Sequence, residues 1–416
     1  MPETTLMTRN SSCRACKGTR MSRIFSFGPT PPANAFLKKE ELEKPELFFP
    51  LDVYFCRACS LVQLMDIVSP ELLFKDYVYV SSTSSAFVAH FQSFANDVFS
   101  RFNLSRGSLV VDIGSNDGIL LQPFKVLGAS VLGIDPAVKI AEEATINGVE
   151  TLPYFFNPDL AKKLVSERGY AVVITGTNVF AHVNDLDELV GGVATLLAPN
   201  GSFIIEAPYL VDFLEKNLFD TVYHEHLSYF AVRPLVTLFS RMNMEIFDVE
   251  KVNSHGGSLR VFVKHRGAEQ EMRESVKQFM KGEEDLKLDS LAPYTAFAKR
   301  IEKNKKNLLT LLHELKLKGK RIAGYGASAK GNTLLNYFGI THEVLEYMVD
   351  DSSWKQGLYT PGTHIPVVAA QKLMEERPDY ILILAWNFAE QIMNKLHEFR
   401  ASGGKFIIPV PEPKIL

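Results

Sequence analysis

The chain has 416 residues, a formal net charge of −3, 46% hydrophobic and 22% charged residues, which is ordinary globular composition with length for two or three cores. The near-neutral balance argues against a nucleic-acid-binding protein, which would usually show a basic face. No apolar run reaches membrane-spanning length, and the opening MPETTLMTRN lacks the apolar core of a secretory signal, so a cytoplasmic protein away from membranes is expected.

All four cysteines fall in the first sixty residues, as Cys13-Arg-Ala-Cys16 and Cys56-Arg-Ala-Cys59. Two such pairs supply the four thiolates of a tetrahedral structural zinc site. The stretch between them exceeds the spacer of a compact zinc ribbon, so a small subdomain is expected there. The competing readings are two disulfides, disfavoured in the cytosol, or a redox pair. A site closed by four thiolates has no open position for catalysis.

Next comes FKDYVYVSSTSSAFVAHFQSFANDVFSRF, helical in its apolar spacing from about Ala86. Tyr77, Tyr79 and Ser82 precede that helix as a polar-aromatic approach segment. They are candidate substrate contacts or a simple turn and N-cap region.

From Ser108 the pattern repeats strand, loop and helix: SLVVDIGSNDGILLQPF, SVLGIDPAVKIAEEA, YAVVITGTNVFAHV and GSFIIEAP. Short β-branched runs alternating with helices predict a parallel α/β sheet. EIFDVEKV and SLRVFVKH read as an antiparallel pair around Asn253–Gly257. Residues 268–318 read as a charged helical connector, and a second α/β pattern begins at Lys320. The expected divisions are 1–75, 76–267 and 268–416.

The first strand of the central pattern ends in Asp112 and turns through Gly114, Asn116 and Gly118, a loop that lets backbone approach a ligand. Asn116 tolerates the left-handed conformation a third glycine would take. Asp135, followed by Pro136, ends the next strand, where it can accept hydrogen bonds from ribose hydroxyls. Asp112 would repel a dinucleotide pyrophosphate and attract the ammonium of S-adenosylmethionine. The loop also lacks GxGxxG spacing. S-adenosylmethionine is therefore the expected cofactor, with NAD and a bare turn as alternatives.

The cysteine pairs, DIGSNDG with IDPA, NVFAHV, YHEH, HGGSLR, AKGNTLLN and PGTHIPV occur in this order along nearly the whole chain. In this the chain resembles the sugar C-methyltransferases of deoxysugar biosynthesis, the family that includes the tetronitrose 3-C-methyltransferase. The resemblance implies a zinc-binding N-terminal module, a central Rossmann-like class I methyltransferase domain and a C-terminal Rossmann-like α/β domain. The implied substrate is a nucleotide-linked 4-keto-6-deoxysugar, dTDP- or GDP-linked. It further implies that Asp112, Gly114, Gly118 and Asp135 hold S-adenosylmethionine and that Asn178 lines the methyl-donor pocket. Tyr223, Glu225, His226 and His182 would surround the sugar carbon.

The residues themselves support that chemistry. Phe219–Tyr229 is expected as a loop beyond the carboxyl edge of the strand GSFIIEAP, where ligands of open α/β sheets bind. Methylating carbon needs a carbanion, and a C–H beside a ketone yields one if a base is near and the oxyanion is stabilised. His226 is the expected base, Tyr223 the orienting hydroxyl and Glu225 the group fixing the imidazole tautomer. His224 competes as base, because extended backbone would put it on the same face. A solvated polar turn and a metal site are the other readings; for zinc, His-Glu-His lacks the offset of HExxH. The turn His255-Gly256-Gly257 is equally a tight hairpin or a substrate contact.

In the C-terminal pattern, Gly324-Tyr325-Gly326-Ala327-Ser328-Ala329 is a GxGxxA loop, followed by Lys330 and Asn332. Substrate pyrophosphate on Ser328, Lys330 and Asn332, a structural loop, and NAD all remain open there. The reading is a monomeric methyltransferase of a 4-ketosugar at C3. An NAD-linked sugar-nucleotide oxidoreductase and a C5-methyltransferase are the alternatives.

Overall fold

The computed structural model describes residues 6–74, 85–254 and 256–416; Tyr77, Tyr79, Ser82 and His255 lie outside the described residues. Five strands open the chain: β1 (Met7–Arg9), β2 (Met21–Thr30), β3 (Phe49–Cys56), β4 (Val62–Leu64) and β5 (Asp66–Val68). β2, β3 and β4 run antiparallel, and β1 pairs with β5. Alternate residues of β3, Phe49, Leu51, Val53 and Phe55, are buried, the period-two pattern of a sheet with one covered face.

The central domain adds β6 (Leu109–Ile113), β7 (Ser130–Ile134), β8 (Thr151–Leu152), β9 (Ala171–Thr177), β10 (Leu197–Pro208), β11 (Ser228–Tyr229), β12 (Met244–Val252) and β13 (Ser258–His265). Seven of these form one sheet in the order β12-β13-β10-β9-β6-β7-β8. Neighbours from β10 to β8 are parallel, while β13 inserts antiparallel between β10 and β12. Strand order reverses between β6 and β9, which opens the crevice at their carboxyl ends where such sheets bind ligands. Asn157 caps the helix Pro158–Arg168 by accepting from Leu160 N, with proline in the first turn and Gly169 ending it at φ 82°.

The third sheet runs β16 (Val367–Val368), β15 (Met348–Val349), β14 (Ile322–Tyr325), β17 (Tyr380–Ile383), β18 (Lys405–Ile408) and β19 (Lys414–Ile415), parallel except for the last strand. The molecule is thus of the α/β class expected.

Two expectations need correction. Phe219–Tyr229 is only partly loop: it holds a 3-10 turn over Phe219–Thr221 and then β11, which joins the N-terminal sheet with Ser228 opposite Gln63 and Tyr229 opposite Val62. The connector is also more than a bridge. Its helix Ala292–Leu317 buries Tyr294, Phe297, Ile301, Leu308, Leu312 and Leu315 at helical spacing. Tyr294 meets Phe55 of the N-terminal sheet, Phe297 meets Phe213 of the central domain, and Asn304 donates to the Pro409 carbonyl. The apolar stripe beneath its charges sits where the three parts converge. Among the described residues, no helix is long and apolar enough to cross a membrane.

Candidate active site and zinc centre

The four cysteines converge, with no disulfide between them, and their sulfurs lie within 4.8 Å of one another. Cys13 Sγ and Cys59 Sγ are 3.6 Å apart, Cys16 Sγ and Cys56 Sγ 3.5 Å. Zn–S bonds of about 2.3 Å in a tetrahedron put sulfurs roughly 3.8 Å apart, so this donor set fits zinc. Cys13, Cys56 and Cys59 are buried and Cys16 partly so, and four soft ligands make the closed structural type. Arg14, inside the first pair, turns its guanidinium inward to the Asn184 side chain and to the carbonyls of Leu64 and Leu227.

The glycine loop follows β6. Gly114 has φ 72°, and a Cβ there would fall 2.7 Å from the Val179 side chain, so only glycine lets loop and strand end meet. Asn116 is left-handed at φ 49°, and its N–H donates to Asp135 Oδ2 at 2.9 Å. Asp135 Oδ1 accepts from Ala137 N at 2.9 Å, so its carboxylate already braces both loops while keeping lone pairs for a ribose. Asp112 is buried at the strand end and accepts from Thr175 Oγ1 at 2.6 Å. Burial pushes its carboxyl up to about 7, against the pull of the Thr175 hydroxyl.

Across the crevice, Asn178 is left-handed at φ 59° and its N–H donates to the Glu206 carbonyl. Its Oδ1 is buried with no hydrogen-bond partner, an orphaned acceptor at the edge where a cationic ligand would sit. Asp112, Gly114, Asn116, Asp135 and Asn178 thus gather at the carboxyl ends of β6, β7 and β9, a set whose chemistry fits S-adenosylmethionine; Gly118 turns the loop at φ 77° against Val149, and Pro136 follows Asp135 in the chain.

In the His-Glu-His stretch the three side chains separate. His226 N bonds to the Tyr223 carbonyl, which closes a turn. His226 Nδ1 donates to the Thr221 carbonyl at 2.7 Å, leaving Nε2 as the acceptor for the Tyr223 hydroxyl at 2.9 Å. A carbonyl can only accept, which fixes this tautomer of the neutral ring. His182, in the 3-10 turn Phe180–His182 after β9, meets His226 edge to face at 4.9 Å. Burial lowers His182 to about 4, so it is neutral at working pH.

His224 is corrected as a competing base. The turn sends it the other way, to bond the Phe49 carbonyl at 3.2 Å and pack on the Phe49 ring. Glu225 does not take the assigned hold on the His226 ring either, since the Thr221 carbonyl occupies Nδ1. It is buried, accepts from Asn34 Nδ2 at 2.7 Å, and burial raises it to about 7. Asn34 was absent from the sequence-based site because its pairing with Glu225 is long-range; no local signal marks it.

The C-terminal loop also departs from expectation. Ser328 caps the helix Ala329–Phe338 by accepting from Gly331 N. Asn332 is buried and donates to the Ala33 carbonyl of the N-terminal module, while its Oδ1 is buried without a hydrogen-bond partner and it lines a small cavity together with Tyr223. Lys330 stands 5.5 Å over the Trp386 ring and lies within the field of Asp220, which offsets part of the burial that pulls its ammonium down. Trp386 Nε1 donates to Asp220 Oδ2 at 2.6 Å, and burial raises Asp220 to about 6 against these two partners. Asp220 directly precedes Thr221, so this end of the C-terminal domain abuts the His226 turn. Asp220 and Trp386 were missed by sequence. Gly257, beside Asp212, could not carry a Cβ, which would lie 2.5 Å from the carboxyl carbon; that supports the tight-hairpin reading of its turn.

Family models match in three consecutive stretches: a "zinc binding domain" over residues 13–74, a "Methyltransferase domain" over 87–249 and a "C-methyltransferase C-terminal domain" over 253–411. C-methyltransferase NovU of Streptomyces niveus is 38% identical over 404 residues, 97% of this chain and 96% of its own length. A ubiquinone biosynthesis O-methyltransferase of Rhodopseudomonas palustris (strain HaA2) is 31% identical over 100 residues, only 24% of this chain and 39% of that protein. A solved SAM-dependent methyltransferase from Anabaena variabilis ATCC 29413 aligns with a TM-score of 0.36 and 18% identity, covering 47% of this chain and 91% of that one, too distant to carry weight. Matched along nearly its whole length by NovU, the chain belongs to the C-methyltransferase family and is an S-adenosylmethionine-dependent C-methyltransferase carrying a zinc-binding domain.

Proposed function

We propose that the acceptor is a nucleotide-linked 4-keto-6-deoxysugar, methylated at C3, in a monomer working in the cytoplasm. The observation that carries this reading is the chain Thr221 carbonyl, His226 and Tyr223 hydroxyl at the edge of the crevice. It is a proton acceptor with its tautomer fixed, beside a residue set suited to a methyl donor. The Tyr223 hydroxyl takes the proton from the carbon next to the ketone as its own proton passes to His226 Nε2, leaving an enolate and an imidazolium. When bound, S-adenosylmethionine supplies an electrophilic methyl group. Asp112 and Asn178 would receive its cationic end, and Asp135 its ribose. The neutral His182 and the buried Glu225 line the approach. Ser328, Lys330 and Trp386 offer a C-terminal wall for the nucleotide, with Lys330 drawn off the Trp386 ring when phosphate arrives. Four reduced thiols held for a metal accord with a reducing compartment. The working division of the chain is 1–75, 76–267 and 268–416.

The test is incubation with S-adenosylmethionine and a panel of dTDP- and GDP-linked 4-ketosugars, followed by mass spectrometry and NMR. Without methyl donor, the wild type should exchange the sugar proton at C3 with deuterated solvent. His226→Asn should lose about two orders of magnitude or more in that exchange. Exchange at C5 instead of C3 would move the methylated carbon, and wild-type rates in His226→Asn would remove the base assignment. Stabilisation by NADH but not by S-adenosylmethionine would favour the oxidoreductase.

A further inference from the structure

We infer that Arg14, one of the two residues between the first pair of zinc-ligand cysteines, positions the His182–His226 pair, and that the charge of the zinc centre is what permits it to lie there. The inference rests on the enolate chemistry proposed above.

Arg14 is 1% exposed. Its Nε donates to Asn184 Oδ1 at 3.1 Å, two residues beyond His182. Its Nη1 donates to Gln63 Oε1 at 3.2 Å, to the Leu64 carbonyl, and to the Leu227 carbonyl at 3.3 Å, one residue beyond His226. Leu227 N in turn donates to the Ala181 carbonyl at 2.8 Å, closing the ring of contacts between the two histidine-bearing segments. One planar guanidinium thus spans both arms that bring the imidazoles edge to face. A fork of fixed donors can hold two acceptors in register, which a single ammonium cannot.

All of these partners are neutral, and among the described residues no carboxylate forms an ion pair with Arg14. A buried cation is costly unless its charge is answered nearby. A zinc ion on four thiolates carries two net negative charges, and Cys13 and Cys16 flank Arg14 in the chain. The metal centre therefore answers the charge of the residue that spans the two catalytic segments. If Arg14 served only to hold the zinc knuckle, its replacement would change stability and metal content without altering proton abstraction.

Zinc-loaded wild type, Arg14→Lys, Arg14→Met and Asn184→Ala would be compared for zinc content, S-adenosylmethionine affinity, solvent exchange at the substrate carbon without methyl donor, and kcat and KM for the sugar nucleotide. We expect Arg14→Lys to keep its zinc and its S-adenosylmethionine affinity while exchange and kcat fall together by about tenfold or more, since an ångström of misplacement is costly. Arg14→Met should fall further, and Asn184→Ala, at an exposed position where truncation spares the core, by roughly threefold. If the Arg14 variants fail to fold or to hold zinc, Asn184→Ala decides. Wild-type exchange and kcat in both Arg14→Lys and Asn184→Ala, or in Asn184→Ala when it alone decides, would overturn the inference. A wild type that neither exchanges nor methylates any tested ketosugar removes the enolate reading and this inference with it; a wild type that does both isolates the role of Arg14.

Discussion

On the proposed reading, in which Asp112 meets the cationic end of S-adenosylmethionine, this one buried carboxyl ties cofactor affinity to pH. Its folded value near 7 lies above that of the unfolded chain, so its own contribution to stability is complete below the unfolded value and disappears as pH rises through 7. A cationic ligand acts in the opposite sense, because it favours the ionised carboxylate. S-adenosylmethionine affinity, measured by calorimetry, should therefore strengthen by up to about tenfold per unit as pH rises towards 7, then level off. Asp112→Asn should bind more weakly and lose that slope. At this scale the sequence was uneven. Asp112 and Asp135 were visible because each ends a β-branched run. The Asn34–Glu225 and Asp220–Trp386 pairs join distant segments, and only the folded chain brings them together.

The glycine loop is the element on which the cofactor reading is most exposed to test. Gly114→Ala adds a Cβ within 2.7 Å of Val179 at a φ of 72°, which forces the loop off the end of β9. Thermal unfolding should shift by only a few degrees, about 1–2 kcal/mol, while S-adenosylmethionine affinity falls by about tenfold or more. Equal loss of both would mark the glycine as structural only. Elements with local signatures were legible: the glycine turn, the β12–β13 hairpin and the strand-helix repeats all announce themselves within a short window. The His226 turn was not. Extended backbone would have set His224 and His226 on one face, but the bond from His226 N to the Tyr223 carbonyl closes a turn and splits them. The competitor for that segment was a tertiary partner, the edge of β4, which periodicity cannot reveal.

Across the whole molecule, the C-terminal domain reaches the candidate site through Trp386 and Lys330. The chain has two tryptophans, and Trp354 is largely exposed, so Trp354→Phe leaves Trp386 as the reporter. In that variant a nucleotide ketosugar should shift or quench the emission as phosphate draws Lys330 off the Trp386 ring, whereas S-adenosylmethionine alone should change the intensity by no more than about a tenth. An unchanged signal at saturating sugar nucleotide would detach this wall from the substrate. The placement of β11 has a further consequence for how the protein is made. During synthesis the N-terminal sheet emerges with β4 as an open edge, and its missing strand arrives only after most of the methyltransferase domain has left the ribosome. Unpaired edges attract other chains. A zinc module that folds ahead of the rest would therefore expose an adhesive edge until the residues around His226 dock on it, and a transplanted module would carry that open edge with it unless Ser228 and Tyr229 came along.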